Sequence, residues 1–249
     1  MILNAGITVD LPKLLTYYQG LISGIVFLII YTAEHVFPQR KELIDIKNDA
    51  FNFITGLVGF LIIFSGGYLF NYCINWSTAH HFGILNQFIL NKYANVLLQF
   101  TLIDLFMYWW HRANHELPLL WYFHKFHHKD EKMTASTALR FHPGELFLSI
   151  LIKIFVFSLL GIQSWISIGY GIVLFIVITL HHSNLRITDK TDFLLRYFIS
   201  SPKMHRIHHS IIKLETNSNY GSVFPYWDKV FKTYIKYPEK PVIFGIVEK

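Results

Sequence analysis

Long apolar runs, most of them closed by a polar cluster that contains histidine, set the pattern of this chain. Residues 14–31 form the first run, which ends at Glu34, His35 and Pro38. Residues 51–74 form the second, and residues 96–110 the third, which passes directly into His111. A helix needs about 20 mostly apolar residues to cross a bilayer. The run at 146–180 is too long for one crossing and carries Gly161-Ile162-Gln163-Ser164 near its middle, so it reads as two helices in a hairpin. From about Asn184 the chain is polar enough to form a cap. The expected fold is therefore all-α: an integral membrane bundle of four to five helices, three spans plus a helical hairpin, with a histidine-rich helical cap. We read residues 1–249 as a single membrane-embedded domain.

Composition agrees. Hydrophobic residues make up 53% of the 249 and charged residues only 15%, less charge than a water-soluble domain usually carries. The net charge of +6 falls between the apolar runs in an alternating way. Arg40, Lys41 and Lys47 follow the first run and only Lys92 follows the second. Arg112, Lys125, Lys129, Lys132 and Arg140 follow the third, and Arg186, Lys190, Arg196, Lys203 and Arg206 follow the hairpin. Positive loops stay on the cytoplasmic side. The alternation therefore predicts an external amino terminus and a cytoplasmic cap, in a bacterial inner membrane or the endoplasmic reticulum. No basic stripe interleaved with stacking aromatics suggests nucleic acid. The one cysteine, Cys73, allows no internal disulfide. The start at Met1 lacks a basic leader region, and the end at Lys249 carries no retention signal.

Eight of the 14 histidines fall in three clusters: His111 and His115; His124, His127 and His128; His205, His208 and His209. Residues three and four apart share one helix face, so each cluster can aim two or three imidazoles at one point. Neutral imidazole ligates iron, zinc and copper. Eight donors exceed the four that close a structural zinc site, which favours two metals held together. His182, at the end of the hairpin, reaches the same edge, and His142 is a further ligand candidate, whereas His181 points elsewhere on its helix. Ligating histidines usually donate their second ring N–H to an oxygen. Glu116, Glu145, Asp104 and Asp228 are candidates for that role. Asp104 stands out because a carboxylate within an apolar helix is costly and lies two turns before His111.

These residues carry a resemblance. Asp104, then Tyr108-Trp109-Trp110-His111-Arg112-Ala113-Asn114-His115, His124-Lys125-Phe126-His127-His128, Arg140-Phe141-His142-Pro143-Gly144-Glu145, His182-Ser183-Asn184, Ser201-Pro202-Lys203-Met204-His205-Arg206-Ile207-His208-His209 and Trp227-Asp228 stand in the order found in the fatty acid hydroxylase superfamily. The chain resembles in particular the sterol desaturase and sterol C4-methyl oxidase group, over residues 96–233, which form the expected catalytic core. Where relatives often close with Trp-Asp-x-x-Phe-Gly-Thr, this chain has Lys232 in place of the glycine. The resemblance implies a non-haem di-iron centre, O2 as co-substrate, a lipid substrate (sterol, fatty acyl or ether lipid) and an external electron donor of the cytochrome b5, ferredoxin or reduced pterin type. It implies His111, His115, His124, His127, His128, His142, His182, His205, His208 and His209 as ligands, and Asp104, Glu116, Asn184 and Asp228 as catalytic residues. Phe147, Phe155, Phe157, Phe175 and Leu180 are candidates to line a lipid channel.

Three other classes compete on the residues alone. A metal-binding or transport protein should place ligands near the bilayer midplane, and these lie at helix ends. Haem ligation needs isolated histidines rather than adjacent pairs. A zinc-dependent membrane hydrolase needs only three ligands and a base, which leaves most of the histidines unused.

Overall fold

The computed structural model describes residues 10–247. Met1 and Lys249, on which the leader and retention readings rest, lie outside that range. Ten helices and three short 3-10 turns make up the described chain, with no strand among the described residues beyond two isolated bridges.

Four helices are long and apolar enough to cross a membrane. The first, α1 (Leu11–Val36), opens on Asp10, whose side chain accepts the Lys13 N–H. The second, α2 (Ile46–Ala79), is capped in the same way by Asp45. Its 34 residues span about 51 Å, longer than the apolar thickness of a bilayer. The hairpin expected from the run at 146–180 supplies the other two: α5 (Pro143–Leu160) and α6 (Ser164–His182). The turn between them uses Gly161 at φ 77°, a conformation favourable to glycine. Gly83, before α3, packs so close that an added Cβ would stand 2.5 Å from the Gly161 nitrogen. The outward faces of α1 and α2 are apolar: Leu21, Ile29, Leu57, Leu61 and Phe64 are exposed, as suits contact with lipid chains.

The run at 96–110 is not among the four crossing candidates. It forms the centre of α3 (Lys92–Glu116), a helix that buries Gln99, Asp104, Asn114 and His115. Those polar residues lower the mean hydropathy of the helix, and they face inward while Leu97 and Trp109 are exposed. Pro118 lacks an N–H and begins a new helix, α4 (Pro118–His128), directly after α3. The shorter helices α7 (Asp189–Leu195), α8 (Pro202–His208), α9 (Lys213–Thr216) and α10 (Tyr226–Val230) follow α6. The apolar core joins Ile74, Ile103, Phe157, Ile162, Ile166, Tyr170, Val177 and Val223, from α2, α3, α5, α6 and the segment before α10. Between that core and the short helices lies a second, polar core made largely of histidine.

Candidate metal centre

The histidines enter from four helices: the last two turns of α3, the carboxyl-terminal half of α4, the end of α6, and α8 with the residue that caps it. They form two groups. His111, His115, His124, His128 and His208 make the first; His127, His182, His205 and His209 make the second. Within each group the ligand atoms lie within 4.8 Å of one another. Each His-x-x-His-His cluster therefore serves two points rather than one. His124 and His128, one turn apart, face the first group while His127 faces the second. His205 and His209 face the second group while His208 faces the first. Adjacent residues on a helix point about 100° apart, so the adjacent pairs span the two sites.

Hydrogen bonding fixes the tautomers. His111 donates Nδ1–H to the Tyr220 carbonyl at 2.8 Å, and His208 to the Ser218 carbonyl at 2.7 Å. His127 donates to the Arg140 carbonyl at 3.1 Å, and His182 to the Ile178 carbonyl at 2.7 Å. His124 is held by Glu145 at 2.8 Å. Each of these five rings consequently presents a bare lone pair at Nε2. The Nε2 atoms of His127 and His182 stand 2.9 Å apart, with those of His209 and His205 3.2 and 3.1 Å from His182. Lone pairs do not converge like this without a cation between them. In the first group, the buried Nε2 atoms of His124, His128, His115 and His208 have no partner at all. Such atoms cost free energy unless they bind something. Burial, and then the neighbouring imidazoles, hold His127, His128, His205, His208 and His209 well below the usual histidine pKa. The rings are thus neutral and competent as ligands. The donor set fits two metal ions, one per group.

Several expected site residues sit elsewhere. His142 lies outside both groups; its Nδ1 accepts the Gly144 N–H at 3.0 Å and caps α5, with its ring against Phe123. Glu116 turns to the surface and pairs with Arg112 at 2.7 Å. Asp104 is fully buried but meets no histidine. It accepts from the Tyr170 hydroxyl (2.6 Å), the Trp227 indole (2.8 Å) and the Val223 and Phe224 amides, and so ties α3 to α6 and to the carboxyl-terminal segment. Asp228 accepts from the Tyr220 and Gly221 amides, both at 2.8 Å; burial raises its pKa to about 6. Its influence reaches the centre through the Tyr220 carbonyl, which holds His111. Asn184 brackets Arg40, its side chain bonding both the Arg40 amide and carbonyl. Glu145 is the carboxylate that touches a ligand histidine. His181, expected to point away, is buried with its ring 3.7 Å from that of His205 and both nitrogens unpartnered. Its adjacency to His182 was the available signal, and the packing of α8 against the end of α6 was not legible from spacing.

A cavity of about 730 Å³ opens from the histidines into the bundle. His111, His124, His127, His182 and His205 stand at its polar end. Phe27, Phe53, Phe60, Ile63, Leu174 and Phe175 line much of the rest. Of the aromatics expected to line a channel, Phe175 does so; Phe147 and Phe155 face outward, and Phe157 belongs to the core.

A family model described as fatty acid hydroxylase matches residues 96–233. Ornithine lipid hydroxylase OlsE of Rhizobium tropici is 30% identical over 56% of this chain and 41% of its own length. Alkylglycerol monooxygenase of Homo sapiens is 30% identical over 58% of this chain and 31% of its own length. Lathosterol oxidase of Rattus norvegicus is 31% identical over 51% of this chain and 40% of its own length. The matches thus cover well under half of each relative. No solved structure matches the chain.

Proposed function

The chain belongs to the fatty acid hydroxylase family, and on that premise we propose that it is a multi-pass membrane oxygenase that hydroxylates or desaturates a lipid with O2 and external electrons. The observation that carries the reading is the pair of histidine groups whose bare Nε2 atoms converge at the polar end of an apolar cavity.

His111, His115, His124, His128 and His208 would hold one iron and His127, His182, His205 and His209 a second, and the pair would supply the power to activate O2 and oxidise an unactivated C–H bond. For hydroxylation the balance is one C–H, one O2, two electrons and two protons in, one alcohol and one water out. Desaturation consumes the same O2 and electrons and releases two waters. The electrons come from an external donor of the cytochrome b5, ferredoxin or reduced pterin type. All nine ligand candidates are histidines, so the protein brings no negative charge to the metals beyond Glu145, one hydrogen bond away through His124.

The chain's own residues do three things. The carbonyls of Tyr220, Ser218, Arg140 and Ile178, with Glu145, fix ring orientation and keep each Nε2 unprotonated. The apolar cavity wall takes a hydrocarbon chain or ring system from the bilayer and excludes bulk water from the centre. Placement along that wall decides which carbon meets the metals, and whether one or two hydrogens are within reach. The names of the relatives, an ornithine lipid hydroxylase, an alkylglycerol monooxygenase and a lathosterol oxidase, support a lipid as the substrate. The alternation of positive loops supports a cytoplasmic side for the centre.

The test is metal analysis of the detergent-purified protein, with Mössbauer spectra after anaerobic reduction and O2 exposure. Two coupled irons per chain that respond to O2, lost in His127→Ala and in His208→Ala, support the reading. Zinc, or a centre indifferent to O2, would move the protein to the hydrolase or metal-handling classes.

A further inference from the structure

Beyond Glu145, α5 carries two more polar residues on the same stripe, Ser149 and Lys153. The spacing of i, i+4 and i+8 aligns them on one face, and all three line the cavity. The helix around them is otherwise apolar enough to cross a membrane. An ionisable residue in the middle of such a helix is costly and is retained where it has a task. Among the described residues Lys153 forms no hydrogen bond or ion pair; the charged group it senses is Glu145. The two α-carbons are eight residues, about 12 Å, apart along the axis. Helical side chains lean toward the amino terminus, which directs the ammonium from the apolar depth toward the histidines.

A cation presented to an apolar cavity, without an internal partner and beside a metal centre, is a receiving site. We propose that Lys153 binds an acidic group on the lipid, a carboxylate or a phosphate ester, and so anchors one end of the molecule. An anchored end fixes the register of the chain along the cavity wall and hence the carbon presented to the metals. Ser149, one turn nearer the centre, offers a hydroxyl to the same group. The proposal rests on the reading of the cavity as the lipid chamber.

It is tested by binding, which does not need turnover. Detergent-purified holoprotein is titrated with palmitate, hexadecyl phosphate and methyl palmitate, with thermal shift as the readout, in wild type, Lys153→Met and Lys153→Arg. A charge-assisted hydrogen bond in an apolar site is worth roughly ten- to a hundredfold in affinity. The expected result is that one of the two acids binds wild type at least about tenfold tighter than the ester, and which one does so identifies the acid. That preference should vanish in Lys153→Met and survive in Lys153→Arg. Metal content should be equal in all three, since no metal ligand is altered. If wild type binds all three lipids alike, or if Lys153→Met keeps the preference, Lys153 is not the receiving site, although the chamber stands. If none of the lipids binds, the chamber reading falls with it.

Discussion

Replacing Glu145 with alanine removes the acceptor of the His124 Nδ1–H without touching a ligand. The pair is 2.8 Å long and both partners are buried, so water cannot take over the bond. A hydrogen bond to a charged group contributes about 1.5–3 kcal/mol, which corresponds to roughly ten- to a hundredfold in affinity. That is also the range over which supporting residues tune metal sites. Glu145→Gln keeps an acceptor oxygen but loses the charge, so it should lie near the tenfold end. The effect should be confined to the metal of the five-histidine group, because His124 belongs to that group and Glu145 bonds no ring of the other. The assay is chelator competition followed by metal analysis, which should resolve two release steps in wild type and an early first step in the variants. Release of both metals from Glu145→Ala at the wild-type chelator concentration would refute the argument that this carboxylate holds His124 for the metal.

His142→Ala should leave metal content unchanged and lower thermal stability by about 1 kcal/mol, the worth of a helix cap; loss of metal would return His142 to the ligand set. Asp104→Ala strands four donors, two of them in fully buried bonds, and should destabilise the protein by about 3 kcal/mol or more, measured by thermal unfolding in detergent; a loss below about 1 kcal/mol would contradict its role as a tie. Lys232 sits at φ 60°, where the family often has glycine, so Lys232→Gly should raise stability by about 1 kcal/mol. In metal-free protein the buried histidines stay neutral while the unfolded chain protonates near the ordinary value of 6.5. The unfolded state therefore binds more protons below that value, and stability should fall as the pH drops from 7 toward 5 and level off above 7. A flat melting profile over that range would show the rings to be solvated.

The hairpin was legible because glycine and polar residues interrupt an apolar run of two helix lengths. The histidines were legible because so many polar rings have no other reason to gather at apolar helix ends. Their division into two groups was not read, since a cluster on one helix suggests one point until the partner helices are placed. Asp104 was singled out correctly as a buried carboxylate, but its partners, Tyr170 and Trp227, lie 66 and 123 residues away in sequence. The run at 96–110 was legible as a helix, but hydropathy averages over side chains and does not register that Gln99, Asp104 and Asn114 are buried against the rest of the protein.

Glu34, at the end of α1, is fully buried; it accepts from the Ala135 amide at 2.9 Å and from the Asn184 amide at 2.7 Å. One carboxylate from the amino-terminal helix thereby fastens the loop that follows α4 and the backbone just beyond His182. Neither contact lies in the stretch of chain before residue 96, yet the group that makes them does. The stretch shared with relatives is thus a unit of ancestry rather than a unit of assembly. A fragment cut at its borders would keep the clustered histidines and lose the clasp that holds two of their supporting segments together. Shortening this protein for structural work should begin downstream of the centre, leaving the first helix in place.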